Sequence, residues 1–191
     1  LPFDTVTDFA PVGFIGRVPF VLVVHPSIPA HNLEELFSVL KARPNQLGYG
    51  SSGIGNTAHL FGALLNKKVG ADMVHVPYKS GGEAIKELLG GRVQLLFSTL
   101  VDVLPQIEQA TVRPIALASS GRASAMPSVP TFAELGMEGF EAPTWFGVIA
   151  PAGTPEEIIA FLNSEMRAAL TRPEVKTRLA RLGLETAIMT A

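Results

Sequence analysis

Apolar residues along the chain fall into two patterns, short continuous runs and helical spacings, and the two patterns alternate. The apolar run at 20–24 is typical of a buried strand. Residues 33–40 carry apolar side chains at the i, i+3, i+4 and i+7 positions of a helix. Asn32 precedes this stretch and Glu35 follows three residues later, a pattern that predicts a capped helix start.

The same alternation continues through the middle of the chain. Strands that alternate with helices form right-handed βαβ units around a parallel sheet. The predicted fold class is therefore α/β, with a mainly parallel sheet flanked by helices. We predict strands at 12–16, 20–24, 47–49, 73–76, 92–97 and 114–118, with helices between the later ones.

The C-terminal third differs from the rest of the chain in amino-acid composition. Residues 122–143 are rich in Pro, Gly and small side chains, and a strand is predicted at 144–150. Thr154, Pro155 and a following pair of glutamates predict a helix that Thr154 caps and that runs to about residue 170. Pro173 begins a second helix.

The stretch at 47–61 carries the main candidate chemistry. A short strand is followed by a turn rich in glycine and serine, and Asn56 or Thr57 then caps a helix. Free amides, small hydroxyls and the positive end of a helix dipole favour an anion such as a carboxylate or phosphate. His59, in the first helical turn, either points to the ligand or hydrogen-bonds back to the loop. The candidate contacts in the turn are Ser51, Ser52, Gly53, Gly55, Asn56 and Thr57.

Three further turns are predicted to share the same edge of the sheet, because ligands of open parallel sheets lie outside the carboxyl ends of the strands. These turns lie at 78–82, 98–99 and 119–121, and each contains hydroxyls or glycine amides. The positive charge of Lys79 would attract an anion. The hydroxyl groups of these turns would hydrogen-bond the polar atoms of the ligand. The further candidate contacts are Tyr78, Lys79, Ser98 and Thr99.

Composition excludes several functional classes. The chain has 191 residues, 47% of them apolar, a net charge of -2 and no cysteine. This charge argues against nucleic acid, and the apolar runs are too short to span a bilayer. The four histidines lack metal-ligand spacing, and no Ser/His/Asp set or carboxylate pair is recognisable, so we predict no metal, no cofactor and no catalysis.

One alternative is a Rossmann-like nucleotide-binding enzyme domain. Residues 48–53 match G-x-G-x-x-G, but that motif requires a preceding hydrophobic strand and a helix that opens within it. Here a helix end and a loop precede the motif. No Lys-Ser/Thr pair follows the glycines, which excludes a P-loop.

The chain contains an ordered series of five motifs: Asp8-Phe9-Ala10-Pro11-Val12, Leu47-Gly48-Tyr49-Gly50-Ser51-Ser52-Gly53, Val74-His75-Val76-Pro77-Tyr78-Lys79, Trp145-Phe146-Gly147 and Ala150-Pro151-Ala152-Gly153-Thr154-Pro155. In this order the motifs resemble the substrate-binding proteins of tripartite tricarboxylate transporters, the TctC or Bug family. The resemblance covers nearly the whole chain.

The resemblance implies a type II periplasmic-binding-protein fold with two lobes, of which the first is incomplete here. Residues 1–19 and 119–191 would then belong to lobe 1 and the crossovers, and residues 20–118 would form lobe 2. It also implies a periplasmic receptor, monomeric when full length, that binds a small carboxylate and delivers it to integral-membrane transporter subunits.

Carried over by position, the family's carboxylate contacts would be Ser52, Gly53, Asn56 and Thr57, with His59 supporting them. The family often has Asp-Asn where this chain has Ser98-Thr99. The missing negative charge makes a plain carboxylate a better expected ligand than an amino-acid-like cation.

Overall fold

The structure is a computed structural model that describes residues 2–186. Its strands in this range are β1 (Phe9–Val18), β2 (Phe20–Val24), β3 (Gly48–Ser51), β4 (Val74–Pro77), β5 (Leu95–Thr99), β6 (Arg113–Ala118), β7 (Thr144–Pro151) and β8 (Glu185–Thr186). The helices are α1 (Leu33–Ala42), α2 (Thr57–Val69), α3 (Gly81–Leu89), α4 (Leu100–Glu108), α5 (Glu156–Thr171) and α6 (Pro173–Arg181).

The chain divides into two compact units. One comprises Leu1–Val18 and Thr144–Ala191, and the other comprises Pro19–Pro143. The second unit thus includes residues 119–143, part of the range 119–191 that the resemblance implied for the return crossover and the C-terminal part of lobe 1. The assignment of the two units to lobes 1 and 2 stays a prediction.

The second unit contains a five-stranded sheet in the order β4-β3-β5-β2-β6. The strands β3, β4 and β5 pair in parallel, whereas β2 is antiparallel to both β5 and β6. Four of the five strands therefore point in one direction, as predicted for a mainly parallel sheet. The exception, β2, continues directly from β1 across Pro19 and needs no helical crossover.

Helices cover both faces of this sheet. On one face, α1 and α2 bury apolar side chains, among them Leu36 and Leu65, in a core with Leu22 and Phe97. The buried residues of α3 and α4 lie outside this cluster, and both helices contact β5. The result is the three-layer α/β arrangement expected from the sequence.

Residues 119–143 pack onto the same core without forming a helix or strand. The rings of Phe132 and Phe140 stack with centroids 4.1 Å apart, and Phe140 stacks on Phe97 of β5 at 5.9 Å. Thr131 also forms a bridge with Leu117 of β6. This aromatic stack explains why the compact unit extends to Pro143.

The first unit contains a three-stranded antiparallel sheet in the order β7-β1-β8. Asn163 of α5 donates its side-chain amide to the carbonyl of Val12, which fixes the helix on β1. The predicted cap of α5 is wrong: Pro155 is the N-cap, and the Thr154 hydroxyl donates to the carbonyl of Pro151 instead. None of the helices within residues 2–186 has the length and apolarity needed to cross a membrane.

Candidate functional site

The carboxyl ends of β3, β4 and β5 lie side by side at one edge of the five-stranded sheet, called here the carboxyl edge. Each strand is followed by a helix, so the N-termini of α2, α3 and α4 all begin at this edge. The sheet order places the amino ends of these helices beside one another. Their partial positive charges make this edge attractive to an anion.

The central strand β3 extends further than predicted. It ends at Ser51, so Gly50 lies in the sheet between Val76 and Leu96 rather than in the turn. A side chain on Gly50 would meet Leu96, Val93 and the ring of Tyr78 within 3.5 Å. The missing side chain therefore lets Tyr78 pack closely over the end of the strand.

Residues 52–56, called here the glycine loop, connect β3 to α2. Gly53 and Gly55 adopt φ angles of +131° and +86°, which side-chain-bearing residues rarely adopt. Asn56, one of the two caps that the sequence left open, caps α2: its side-chain oxygen accepts a hydrogen bond from the backbone amide of His59 at 2.9 Å. The side-chain nitrogen of Asn56 donates a hydrogen bond to the hydroxyl of Ser52 at 2.7 Å.

In the part of the chain that the structure describes, unpaired donors lie around the start of α2, at half-buried Thr57 and buried Ala58. The amides of Thr57 and Ala58 occupy the first helical positions and have no acceptor within the helix. Within residues 2–186 no other acceptor satisfies them, and the Thr57 hydroxyl has no partner there. The hydroxyl of Ser52 is exposed and keeps its proton free, because it accepts the bond from Asn56. These groups match what a carboxylate requires.

Ser51 departs from the predicted ligand contacts because it is fully buried. Its hydroxyl lies 2.9 Å from the carbonyl of Gly53 and 2.7 Å from Nε2 of His75, and it accepts the Gly53 amide at 3.2 Å. With its hydrogen-bonding capacity used inside the fold, Ser51 holds the glycine loop rather than facing the surface.

Two histidines stack behind the glycine loop. The ring centroids of His59 and His75 lie 4.1 Å apart, and the ring of Tyr49 packs on His75 at 4.9 Å. Nδ1 of His59 accepts the amide of Gly55 at 3.0 Å, so this side chain bonds back to the loop, one of the two placements left open by the sequence. Burial, with the neighbouring His59 as a second cause, lowers the pKa of His75 below its ordinary 6.5.

This lowered pKa predicts a stability that depends on pH. Unfolded His75 takes up a proton near pH 6.5, whereas the folded form resists it. The unfolded state therefore binds more protons between the two pKa values, and the free energy of unfolding should fall as pH decreases below 6.5. Urea unfolding between pH 7.5 and 5 measures this slope.

The His75→Gln variant should show a smaller loss of stability over the same pH range, because glutamine keeps a donor near Ser51 but does not titrate. Exposed His31 supplies the control, since His31→Gln should leave the slope unchanged. Equal slopes for wild type and His75→Gln would contradict the assignment.

The remaining predicted contacts occupy the neighbouring turns. The amide of Tyr78 donates to the carbonyl of Ser51 at 2.9 Å, which joins this turn to the end of β3. Lys79 is exposed, but the carboxylate of Glu83 already accepts its backbone amide at 3.0 Å. Ser98 is buried, and Thr99 donates its hydroxyl to Asp102. The second and third turns therefore carry carboxylates of their own, which leaves the glycine loop as the better anion site.

Two residues of this arrangement were not among the predicted contacts, Tyr49 and His75. Both occupy strands and reach the loop only because β3 and β4 pair in register, with Tyr49 opposite His75. An outward histidine in an otherwise apolar strand was the available signal, but the sequence does not give the pairing register.

Comparison with known proteins places the fold and the family. The chain is 36% identical to a solved structure described as R. palustris Rpa4515 with adipate, with a TM-score of 0.92 over 98% of this chain and 63% of that one. MatC from Rhodopseudomonas palustris, solved with bound malate, is 32% identical with a TM-score of 0.81 over 92% of this chain and 60% of that one. The fold is that of the periplasmic binding proteins.

The chain belongs to the TctC family, described as the tripartite tricarboxylate transporter family receptor, whose model matches residues 1–191. It is 37% identical to the protein BugT of Bordetella pertussis over 190 residues, which are 100% of this chain and 58% of BugT. The chain thus spans less than two thirds of the length of these relatives. The family resemblance read from the sequence motifs is confirmed.

Proposed function

We propose that this chain forms part of a periplasmic solute receptor that binds a small carboxylate at the glycine loop and the start of α2. The observation that carries the proposal is the set of donors at the first turn of α2: the amides of Thr57 and Ala58 and the hydroxyls of Ser52 and Thr57. A carboxylate offers only acceptor oxygens, so it would pair with these donors without competing groups.

Two relatives support the choice of ligand class. Rpa4515 was solved with adipate and MatC with malate, and both ligands are dicarboxylates. The glycine loop of this chain has no carboxylate of its own, in contrast to the turns that carry Glu83 and Asp102. One carboxylate of a dicarboxylate would bind here through hydrogen bonds and the α2 dipole.

Reversible binding of this kind requires no proton transfer and no covalent step, so the proposed role is that of a receptor and not of an enzyme. By family membership, the ligand would pass to a tripartite tricarboxylate-type transporter in the membrane. The proposed location is the periplasm, and the full-length protein would act as a monomer.

Calorimetric titration of the purified protein with adipate and malate tests the site. Thr57→Ala and Ser52→Ala should each weaken binding by roughly 10-fold or more, since a hydrogen bond to a charged group contributes about 1.5–3 kcal/mol. Thr57→Ser keeps the hydroxyl and should retain most of the affinity. Ser38→Ala, at an exposed position of α1, is the matched control.

Unchanged affinities in Thr57→Ala and Ser52→Ala would remove these residues from the site. No observation favours the nucleotide-binding alternative, because Gly48 and Gly50 lie inside β3 and α2 begins only at Thr57. Titration with NAD or ATP should therefore show no binding.

A further inference from the structure

The stacked imidazoles of His59 and His75 lie beside the proposed carboxylate site without being part of it. Neither ring is among the donors at the first turn of α2, yet both contact the loop that precedes it. Each of the two positive-φ glycines is tied to one ring: Gly55 directly to His59, and Gly53 to His75 through the hydroxyl of Ser51.

The hydrogen bonds define the protonation of His59. The amide of Gly55 can only donate, so Nδ1 of His59 must carry a lone pair. The ring is therefore neutral, with its proton on Nε2. A proton on Nδ1 would set two donors against each other and release Gly55.

The bonds around Ser51 define His75 in the same way. The Gly53 carbonyl can only accept, so the single hydroxyl proton of Ser51 points to it. Nε2 of His75, 2.7 Å away, must then donate to the Ser51 oxygen. Burial against the rings of Tyr49 and His59 disfavours a charge on His75, so this ring is neutral as well.

We propose that His59 and His75 are positioning residues, a neutral histidine pair that fixes Gly53 and Gly55 so that the amides at the start of α2 face the ligand. This inference rests on the proposed function, because it takes the start of α2 to be the ligand site. The hydrogen bonds that hold Gly53 and Gly55 do not depend on that function. The acceptor at Nδ1 of His59 is the group on which the position of Gly55 depends.

The first test requires no ligand and no substitution. Long-range proton–nitrogen NMR correlation of the purified protein at pH 7.5 reports the tautomer of each imidazole. We expect His59 and His75 both to carry a single proton, on Nε2. A proton on Nδ1 of His59 would overturn the proposal.

The second test separates the hydrogen bond from the ring. His59→Phe keeps a ring against His75 but removes the acceptor, whereas His59→Asn keeps an oxygen near the position of Nδ1 and removes the ring. Amide hydrogen exchange of Gly55 should accelerate about fivefold in His59→Phe, the factor that corresponds to one hydrogen bond of about 1 kcal/mol, and much less in His59→Asn. His31→Phe, at an exposed position outside the loop, should leave it unchanged.

Adipate titration of the same variants distinguishes the positioning role of the histidines from the proposed binding of a carboxylate. His59→Phe should bind adipate about fivefold more weakly or worse than His59→Asn. Equal Gly55 exchange in wild type and His59→Phe would overturn the positioning role. If Gly55 responds as expected but the wild-type protein binds neither adipate nor malate, the positioning role is supported and the proposed function is contradicted.

Discussion

Replacing Phe132 with alanine should lower the free energy of unfolding by about 3–5 kcal/mol, the usual cost of deleting a fully buried phenylalanine. The ring is 1% exposed and stacks between Phe140, at 4.1 Å, and Phe97 of β5, at 5.9 Å. Its loss would remove one of the aromatic contacts that join residues 119–143 to the sheet, while Phe140 would keep its contact with Phe97. Urea unfolding followed by circular dichroism measures the change.

Leu135→Ala, three residues along the same segment, is the control for this prediction. Leu135 is 41% exposed, so the substitution should cost less than about 1 kcal/mol. Similar effects of the two substitutions would show that residues 119–143 do not pack on the core of the second unit as described.

The Gly62→Val substitution should destabilise the protein by about 2–3 kcal/mol through overpacking. A Cβ atom at Gly62 would collide with the ring of Tyr49, which is buried between α2 and His75. The ring cannot move without disturbing His75. Thermal unfolding, together with the imidazole signals of His75, measures both consequences.

A double-mutant cycle with Tyr49→Ala isolates this clash. The destabilisation by Gly62→Val should be at least about 1 kcal/mol smaller in the Tyr49→Ala background, because the ring that it meets is gone. Gly82→Val in the first turn of α3, where a Cβ meets no atom, should have little effect. Additive losses in the cycle would mean that Gly62 is required for another reason.

Local patterns along the chain were sufficient to predict much of the second unit. Capping by Asn32 and Asn56 is confirmed, because side-chain capping depends on residues three positions apart. The order of strands and helices through residues 47–118 also follows from the alternation of apolar spacings. The shared carboxyl edge then follows because the parallel strands β3, β4 and β5 point in the same direction.

Such local patterns do not predict contacts between residues that are far apart in the sequence. Gly50 belongs to β3 because β4 and β5 pair with it on both sides, and Ser51 because it pairs with Pro77 of β4, which no local signal reveals. At α5, the Thr154 hydroxyl had a nearer acceptor in the carbonyl of Pro151 and does not cap the helix.

In the candidate site too, the local features were predicted and the contacts between distant residues were not. The sequence pointed to the glycine loop and to the cap of α2, since both are local features. It listed Ser51 as a ligand contact, whereas the pairing of β3 with β4 brings His75 onto the Ser51 hydroxyl and buries it. The role of each ligand contact remains a proposal that a bound structure can test.

A crystal structure of the purified protein with adipate or malate would show whether the glycine loop and the start of α2 bind the ligand. We predict that one ligand carboxylate accepts hydrogen bonds from the amide and hydroxyl of Thr57 and from the hydroxyl of Ser52. A ligand bound elsewhere, with the first turn of α2 left to water, would contradict the account.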